Sequence, residues 1–395
     1  MLITFAEYVS MLFIGRLLYG FSSGAFGLLV PSYTSETAEP SIKGALGSLQ
    51  QLIVTLGVLF VGVLGKYVDY QVMTGIFLFI PLLMTVWMFF MPESPVFLVS
   101  KGRMEAARSS LLFLRGPKYD VDKELLEIQS SVRESQEVGS IGLVSLLTQS
   151  HYTLPLLLSV MLMFLQQFSG VNAVLAFAVQ LFEDTGVTDT IDAYTCNILV
   201  CLTQFLFVIV SMTLVDRNVS LGHIAGRLFQ YINSRFGRKI LLIVSAVMMG
   251  LSMIALAAFF VVKNQADSEE TVQTISFLPI TATITFIASF SIGFGPLPWV
   301  MNSELFPKEA KNLASSIGAM FNWFCAFLIV YFYPMTEKAI GKDVCYFFFG
   351  GVCLVGAVLV QLFVPETKGK TEEDMRRYFL DKTKEKKSEE NKGFN

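Results

Sequence analysis

The stretch ILLIVSAVMMGLSMIALAAFFVV, Ile240–Val262, decides the fold class, because its 23 residues include no charge, no carboxamide and no proline. At a helical rise of about 1.5 Å per residue it covers about 35 Å, enough to cross a hydrocarbon core of about 30 Å. Charge bounds it on both sides, Gly237-Arg238-Lys239 before and Lys263 after. Runs free of Lys, Arg, Asp and Glu recur at 44–65, 70–92, 150–182, 271–303, 312–336 and 344–364. Lipid offers no partner to backbone polar groups, so such runs are helices. The 395 residues are 15% charged and 53% hydrophobic, against about 25% and 45–50% in soluble domains. A secreted enzyme, a soluble α/β protein and a nucleic-acid binder are excluded. The fold class is all-α, a polytopic membrane protein.

Apolar runs and breaks give nine spans, roughly 9–33, 45–65, 71–91, 152–182, 194–215, 240–262, 276–300, 312–334 and 344–364, with 1–6 as the tail of another. One set of alternate loops holds 24 Lys and Arg and the other four, Lys66, Lys263, Lys338 and Lys342. Without the long 92–150 segment and the 365–395 tail the ratio is still 8 to 4, which places the richer set and the C-terminus in the cytoplasm. Within 92–150, EAARSSLLFLRG and DKELLEIQSSVRE carry apolar residues at helical spacing and predict short amphipathic helices. The mixed-charge end DKTKEKKSEENKGFN reads as disordered. Five Cys show no metal-ligand spacing and read as small buried hydrophobes. The N-terminus, with Glu7 and no basic region, does not read as a signal peptide.

An internal repeat organises the spans. Glu36 and Lys43 recur as Glu304 and Lys311, and Pro92-Glu93-Ser94-Pro95 recurs as Pro365-Glu366-Thr367-Lys368, at offsets of 268 and 273. Two homologous halves of parallel topology are a transporter architecture. The first-half partner of Gly237-Arg238-Lys239 then falls before residue 1. Two six-helix halves are expected, the first lacking two to three helices, about 100 residues. The division is 1–91 for the incomplete first half, 92–150 for a cytoplasmic linker, 151–364 for the second half and 365–395 for a tail.

At these residues the chain resembles the sugar-porter family of the major facilitator superfamily, the facilitated glucose and trehalose transporters in particular. The likeness runs to about residue 375. It is carried by Gly15-Arg16-x3-Gly20, Pro31-x-Tyr33-x2-Glu36 with Lys43-Gly44, PESPVFLVSKGR at 92–103, and Gln166-Gln167-Phe-Ser169-Gly170-Val-Asn172. Gly293-x-Gly295-Pro296-x-Pro298-Trp299, Asn322-Trp323 and Pro365-Glu366-Thr367-Lys368-Gly369 complete it.

A site that binds and releases a sugar needs neutral donors and acceptors and an aromatic plane. Gln166, Gln167 and Asn172 supply the amides within two turns of one charge-free span. Burying them unpaired costs several kcal/mol, so they meet each other, water or a ligand; interhelical glue is the alternative. The resemblance adds Gln51, Gln204, Trp299 and Asn322 to that cavity. It also implies a cytoplasmic gate of ion pairs from Glu36, Lys43, Asp216, Arg217, Gly237, Arg238, Lys239, Glu304 and Lys311. The chain departs from the family pattern at Gln204, where Asn is usual, and at Ala176-Phe177, which replace an aromatic pair containing Tyr. Ser291 stands where mammalian-type glucose facilitators carry Glu, and Lys43 and Lys311 stand where Arg is usual, without its bidentate fork. The largest departure is NVSLGHIAGRLFQYINSR, 218–235, whose removal leaves LVDRFGRKILL. Its 18 codons have the in-frame length of a small retained intron.

Gly20-Phe-Ser22-Ser-Gly24 matches a hydrolase elbow only formally, because it lies inside a span. No enzyme, no ATP site, no metal and no cofactor are expected. The implied partners are a small neutral sugar and the lipid bilayer, for a monomeric carrier in the plasma membrane. Uniport and proton symport both stay open, as do a non-transporting sugar sensor and an inactive fragment; uptake is expected only of a version longer at its N-terminus.

Overall fold

The computed structural model describes residues 3–39, 42–138, 141–186, 191–215, 237–266 and 269–393. Among the described residues there is no strand, and nine segments are long and apolar enough to cross a membrane. They coincide with the nine expected spans to within a few residues at most ends. The chain divides into two units, Met1–Gly139 and Ser140–Asn395.

The first unit opens with three long helices, α1 (Val9–Thr37), α2 (Lys43–Tyr67) and α3 (Tyr70–Met88). Phe13, Leu17, Phe21, Phe79 and Trp87 are all exposed within this unit, as side chains facing an apolar surrounding are. Three short helices follow: α4 (Pro95–Ser100), α5 (Met104–Arg115) and α6 (Val121–Val138). Ser94 caps α4 by accepting from Phe97 N at 3.2 Å, with Pro95 in the first helical position, where its missing N–H costs nothing. Leu98, Val99 and Ala107 form a small core with Leu125, Ile128 and Val132, the helical spacing that the sequence displays. Arg115 ends α5 and forks onto Glu124 of α6 at 2.7 and 3.0 Å, while a third N–H donates to Thr37 O at 2.8 Å. The hydrogen bond that Arg115 donates to Glu124 holds the Arg115 pKa above its ordinary value.

The second unit holds α7 (Leu143–Thr148), α8 (Ser150–Phe168), α9 (Val171–Ala176), α10 (Ala178–Thr185) and α11 (Ala193–Val215). It continues with α12 (Arg238–Gln265), α13 (Glu269–Thr274), α14 (Phe277–Ile292), α15 (Leu297–Glu304), α16 (Lys308–Ile340), α17 (Lys342–Phe363) and α18 (Glu372–Gly393). Met249, Met253, Leu256 and Phe259 of α12 are buried in one core with Phe286 and Ile287 of α14. α12 also meets α17, where Gly250 and Gly350 face each other. A Cβ on Gly350 would sit 2.9 Å from Ile254 Cγ1 and 3.1 Å from Gly250 O. Small residues allow such backbone approach, which replaces the missing hydrophobic drive in lipid by packing.

The acidic–basic tail differs from its expected disorder. Thr371 and Asp374 form a reciprocal cap, Asp374 N donating to Thr371 Oγ1 at 3.2 Å and Thr371 N to Asp374 Oδ2 at 2.9 Å. Met375 and Phe379, one turn apart, are buried in the second unit's core and anchor α18. The Lys- and Glu-rich residues beyond them are good helix formers and carry the helix to Gly393.

Candidate functional site

Two expected spans are each interrupted, and the interruptions build the site. The first interruption separates α8 from α9 at Ser169-Gly170. Gly170 has φ +87°, a left-handed conformation, and a Cβ there would also collide with Phe349. A second kink at Phe177 separates α9 from α10. The other interrupted span turns at Gly293-Phe294-Gly295-Pro296 between α14 and α15. Its glycines and proline are a breaker signal readable in the sequence.

Helix breaks at membrane depth leave backbone groups that must find partners. Ser211 Oγ donates to Ile292 O at 3.4 Å. Ser245 Oγ accepts from Phe294 N at 3.1 Å and donates to Ser289 O at 2.8 Å. Gln166 Nε2 donates to Phe294 O at 2.6 Å and to Gly295 O at 2.8 Å. Gln166 therefore fastens α8 to the broken segment with both of its N–H groups.

Its carbonyl end enters a chain of amides. Asn322 Nδ2, from α16, donates to Gln166 Oε1 at 2.8 Å and to Met163 O at 3.4 Å. Gln167 Nε2 donates to Asn322 Oδ1 at 2.8 Å, and Asn172 Nδ2, on α9, donates to Gln167 Oε1. Gln166, Gln167 and Asn322 are buried and Asn172 is half-buried. The structure thus brings four of the expected residues together on α8, α9 and α16. Gln204 of α11 is buried, and its Oε1 accepts no hydrogen bond among the described residues. Trp299 is in the first turn of α15, beside the break, and is partly exposed. Gln51 lies in the first unit, at an exposed position of α2.

The departures from the family pattern are equally definite. Phe177 packs its ring 5.4 Å from that of Tyr333, which donates to Tyr346 Oη at 3.0 Å. Ser291 is buried and donates to its own helix at Ile287 O, 2.8 Å away.

The charged residues gather at the start of α12. Arg238 pairs with Glu304 and also donates to Thr367 Oγ1 at 3.2 Å. Glu366 supplies the helix start with an anion, accepting from Arg238 N at 3.0 Å, Lys239 N at 3.1 Å and Lys368 N at 2.9 Å. Gly237 is its counterpart, since any Cβ there would run into the Glu366 carboxylate. Glu366 escapes a search for site residues, because its partners are backbone N–H groups, two of the three more than a hundred residues away. Lys311 is half-buried on α16. In the first unit Glu36 accepts from Ser94 and from Ser32 Oγ, the latter at 3.0 Å, and Tyr33 donates to Pro92 O at 2.7 Å. Asp216, Arg217 and the 218–235 insertion lie outside the described residues, as does the side chain of Lys43. Ser22 sits mid-helix in α1 and donates to Leu18 O at 2.9 Å, so the formal hydrolase motif has no elbow.

The chain matches the sugar (and other) transporter family over residues 1–219 and 224–379. It is similar to the facilitated trehalose transporter Tret1 of Aedes aegypti, 36% identical over 380 residues, which are 96% of this chain and 44% of that protein. The Tret1 of Culex quinquefasciatus is 37% identical over 377 residues, 95% of this chain and 68% of the relative. With the Tret1 of Anopheles gambiae the share of the relative is 45%, so the chain spans less than half the length of some of its relatives. Among solved structures it resembles the proton:xylose symporter XylE bound to 6-bromo-6-deoxy-D-glucose, with a TM-score of 0.68 and 26% identity over 95% of this chain and 75% of that one. The partially occluded inward-open form of XylE from E. coli gives a TM-score of 0.70 at 26% identity, covering 93% of this chain and 73% of that one. The fold is that of a multi-pass major facilitator protein, and the chain belongs to the sugar (and other) transporter family.

Proposed function

We propose that the amides of the second unit bind a small neutral sugar, of the hexose-to-trehalose class, which the whole protein carries through the membrane by alternating access. The observation that carries this reading is the amide network itself: carboxamides concentrated in charge-free spans beside two helix breaks. Such spans expel polar groups unless these are paired or functional. Gln166 and Asn322 are committed to holding the breaks and each other, whereas Gln167, Asn172 and Gln204 retain hydrogen-bonding capacity for sugar hydroxyls. Trp299 offers an indole face for a sugar ring. Neutral amides favour a ligand that is released as readily as it is bound.

The Arg238–Glu304 pair, the Glu366 cap and Lys311 form part of the inner gate in this reading. Its face is cytoplasmic, with the C-terminus, by the Lys and Arg asymmetry, and the membrane is the plasma membrane. The facilitative mode follows the trehalose-transporter relatives, whose names state it. The test is thermal unfolding of the purified chain with trehalose, glucose, fructose or a polyol. A ligand of the native state raises the unfolding temperature by mass action. One sugar of the panel is expected to do so in the native sequence and not in Gln167→Leu; a flat response to the whole panel refutes the reading.

A further inference from the structure

The amide network has a second polar storey beneath it. Ser159 precedes Gln166 by seven residues on α8, and Ser315 precedes Asn322 by seven on α16. Seven residues are two helical turns, about 10.5 Å, so each serine shares a helix face with the amide above it. Between the two serines lies Asn302 of α15. Ser159 Oγ donates to Asn302 Oδ1 at 2.5 Å. Asn302 Nδ2 donates to Ser315 O at 3.1 Å, and Ser315 Oγ donates to Asn302 O at 3.0 Å. Gly318 makes room for this arrangement, because a Cβ there would lie 2.6 Å from Asn302 Oδ1 and 2.9 Å from Ser159 Oγ. Asn302 and Ser159 are buried, and their side-chain hydrogen bonds run to each other and to Ser315.

The short helix α15 therefore has three fixed points. Just before its start, Phe294 O and Gly295 O are held by Gln166. At its end, Glu304 pairs with Arg238. Two residues before that end, Asn302 is clamped between the two helices that carry the amide hub. A hydrogen-bonded clamp in a charge-free interior has two discrete conditions, made or broken, since half-made bonds leave buried polar groups unpaired. Any shift of α8 against α16 at the amide level is thereby passed to the register of α15, and with it to Glu304.

We propose that Asn302 is a positioning residue that couples the amide network to the Arg238–Glu304 ion pair. The proposal rests on reading the amides as the sugar site and the ion pair as part of the inner gate. Its test is a mutant cycle read without sugar, so its outcome stands apart from whether the chain transports. Gln166→Leu and Glu304→Gln, alone and together, are compared by unfolding temperature in the native sequence and in Asn302→Leu. Distant independent sites add, whereas coupled ones do not. With Asn302 present, the double variant is expected to deviate from the sum of the singles by about 2–4 °C; in Asn302→Leu the deviation falls below about 1 °C. A purely structural Asn302 lowers every temperature and leaves the deviation untouched. If Asn302→Leu does not fold, Ser159→Ala carries the test by removing one strut, and the deviation is expected to fall by about half. Additivity in the native background, or a deviation that survives both substitutions, overturns the proposal.

Discussion

Replacing Gln166 by Leu separates the structural from the ligand-binding part of the amide network. The side chain is buried and makes three hydrogen bonds, to Phe294 O, to Gly295 O and from Asn322. Interhelical hydrogen bonds in membranes average about 0.6 kcal/mol each and reach about 1.7. Three of them amount to about 2–5 kcal/mol, and relief from burying a polar side chain moves the outcome toward the lower end, about 2 kcal/mol. For a unit of this size that corresponds to a fall of about 4–8 °C in unfolding temperature. Gln167→Leu gives up only two bonds, one from Asn172 and one to Asn322, and is expected to fall by about two-thirds as much. The order reverses for sugar affinity, because Gln167 has donor capacity left. The assays are thermal unfolding of the purified chain and amide hydrogen exchange. Exchange of Gly295 and Leu297 N–H, bonded to Phe290 O and Gly293 O, is expected to accelerate in Gln166→Leu alone. Native unfolding temperature and native exchange at the break in Gln166→Leu refute the assignment of Gln166 to the broken helix.

Other expectations follow from the packing and the charges. Gly350→Leu forces bulk between α12 and α17 where the backbones almost touch, and should cost about 1–3 kcal/mol, read as loss of monodisperse folded protein or a lower unfolding temperature. Glu366→Gln keeps the hydrogen-bond acceptor but removes the anion from the start of α12; a loss of about 0.3–1 kcal/mol and faster exchange at Lys239 N–H are expected. In the first unit, the hydrogen bond from Arg108 holds the Asp122 pKa below its ordinary value. The pair therefore stabilises above the ordinary aspartate range and is lost as pH falls through the depressed value, and Arg108→Gln should return the Asp122 titration, followed by NMR, to the ordinary range. Sequencing the transcript across 218–235 is expected to show a dominant message without the 54 nucleotides; a dominant message containing them refutes the retained-intron reading.

The spans were legible because bilayer physics acts on each residue run alone, and Ile240–Val262 shows its membrane length without any knowledge of its neighbours. The amide cluster was legible for the same reason, as Gln166, Gln167 and Asn172 are conspicuous in a charge-free run. Their partners were not. Whether Gln166 meets a sugar, another amide or a backbone carbonyl depends on which helix lies opposite, and α14 contributes those carbonyls only because it breaks. The break at 293–296 carries its own Gly and Pro signal, whereas the one at Gly170 is signalled by a single glycine. Ser159, Asn302 and Ser315 were invisible because a serine in a helix most often bonds its own backbone, as Ser291 does here. Glu366 was hidden because its partners are main-chain groups. The tail was misjudged from composition, which gives no weight to two anchoring residues, Met375 and Phe379.

The central claim is that the amides of the second unit hold a sugar. It is tested most directly by equilibrium binding of radiolabelled trehalose and glucose to the purified chain, with Gln167→Leu/Asn172→Leu as the comparison. Saturable binding of at least one of the two sugars, weakened at least about tenfold in the double variant, is the predicted result. Equal binding to the native and variant chains, or none to either, contradicts it.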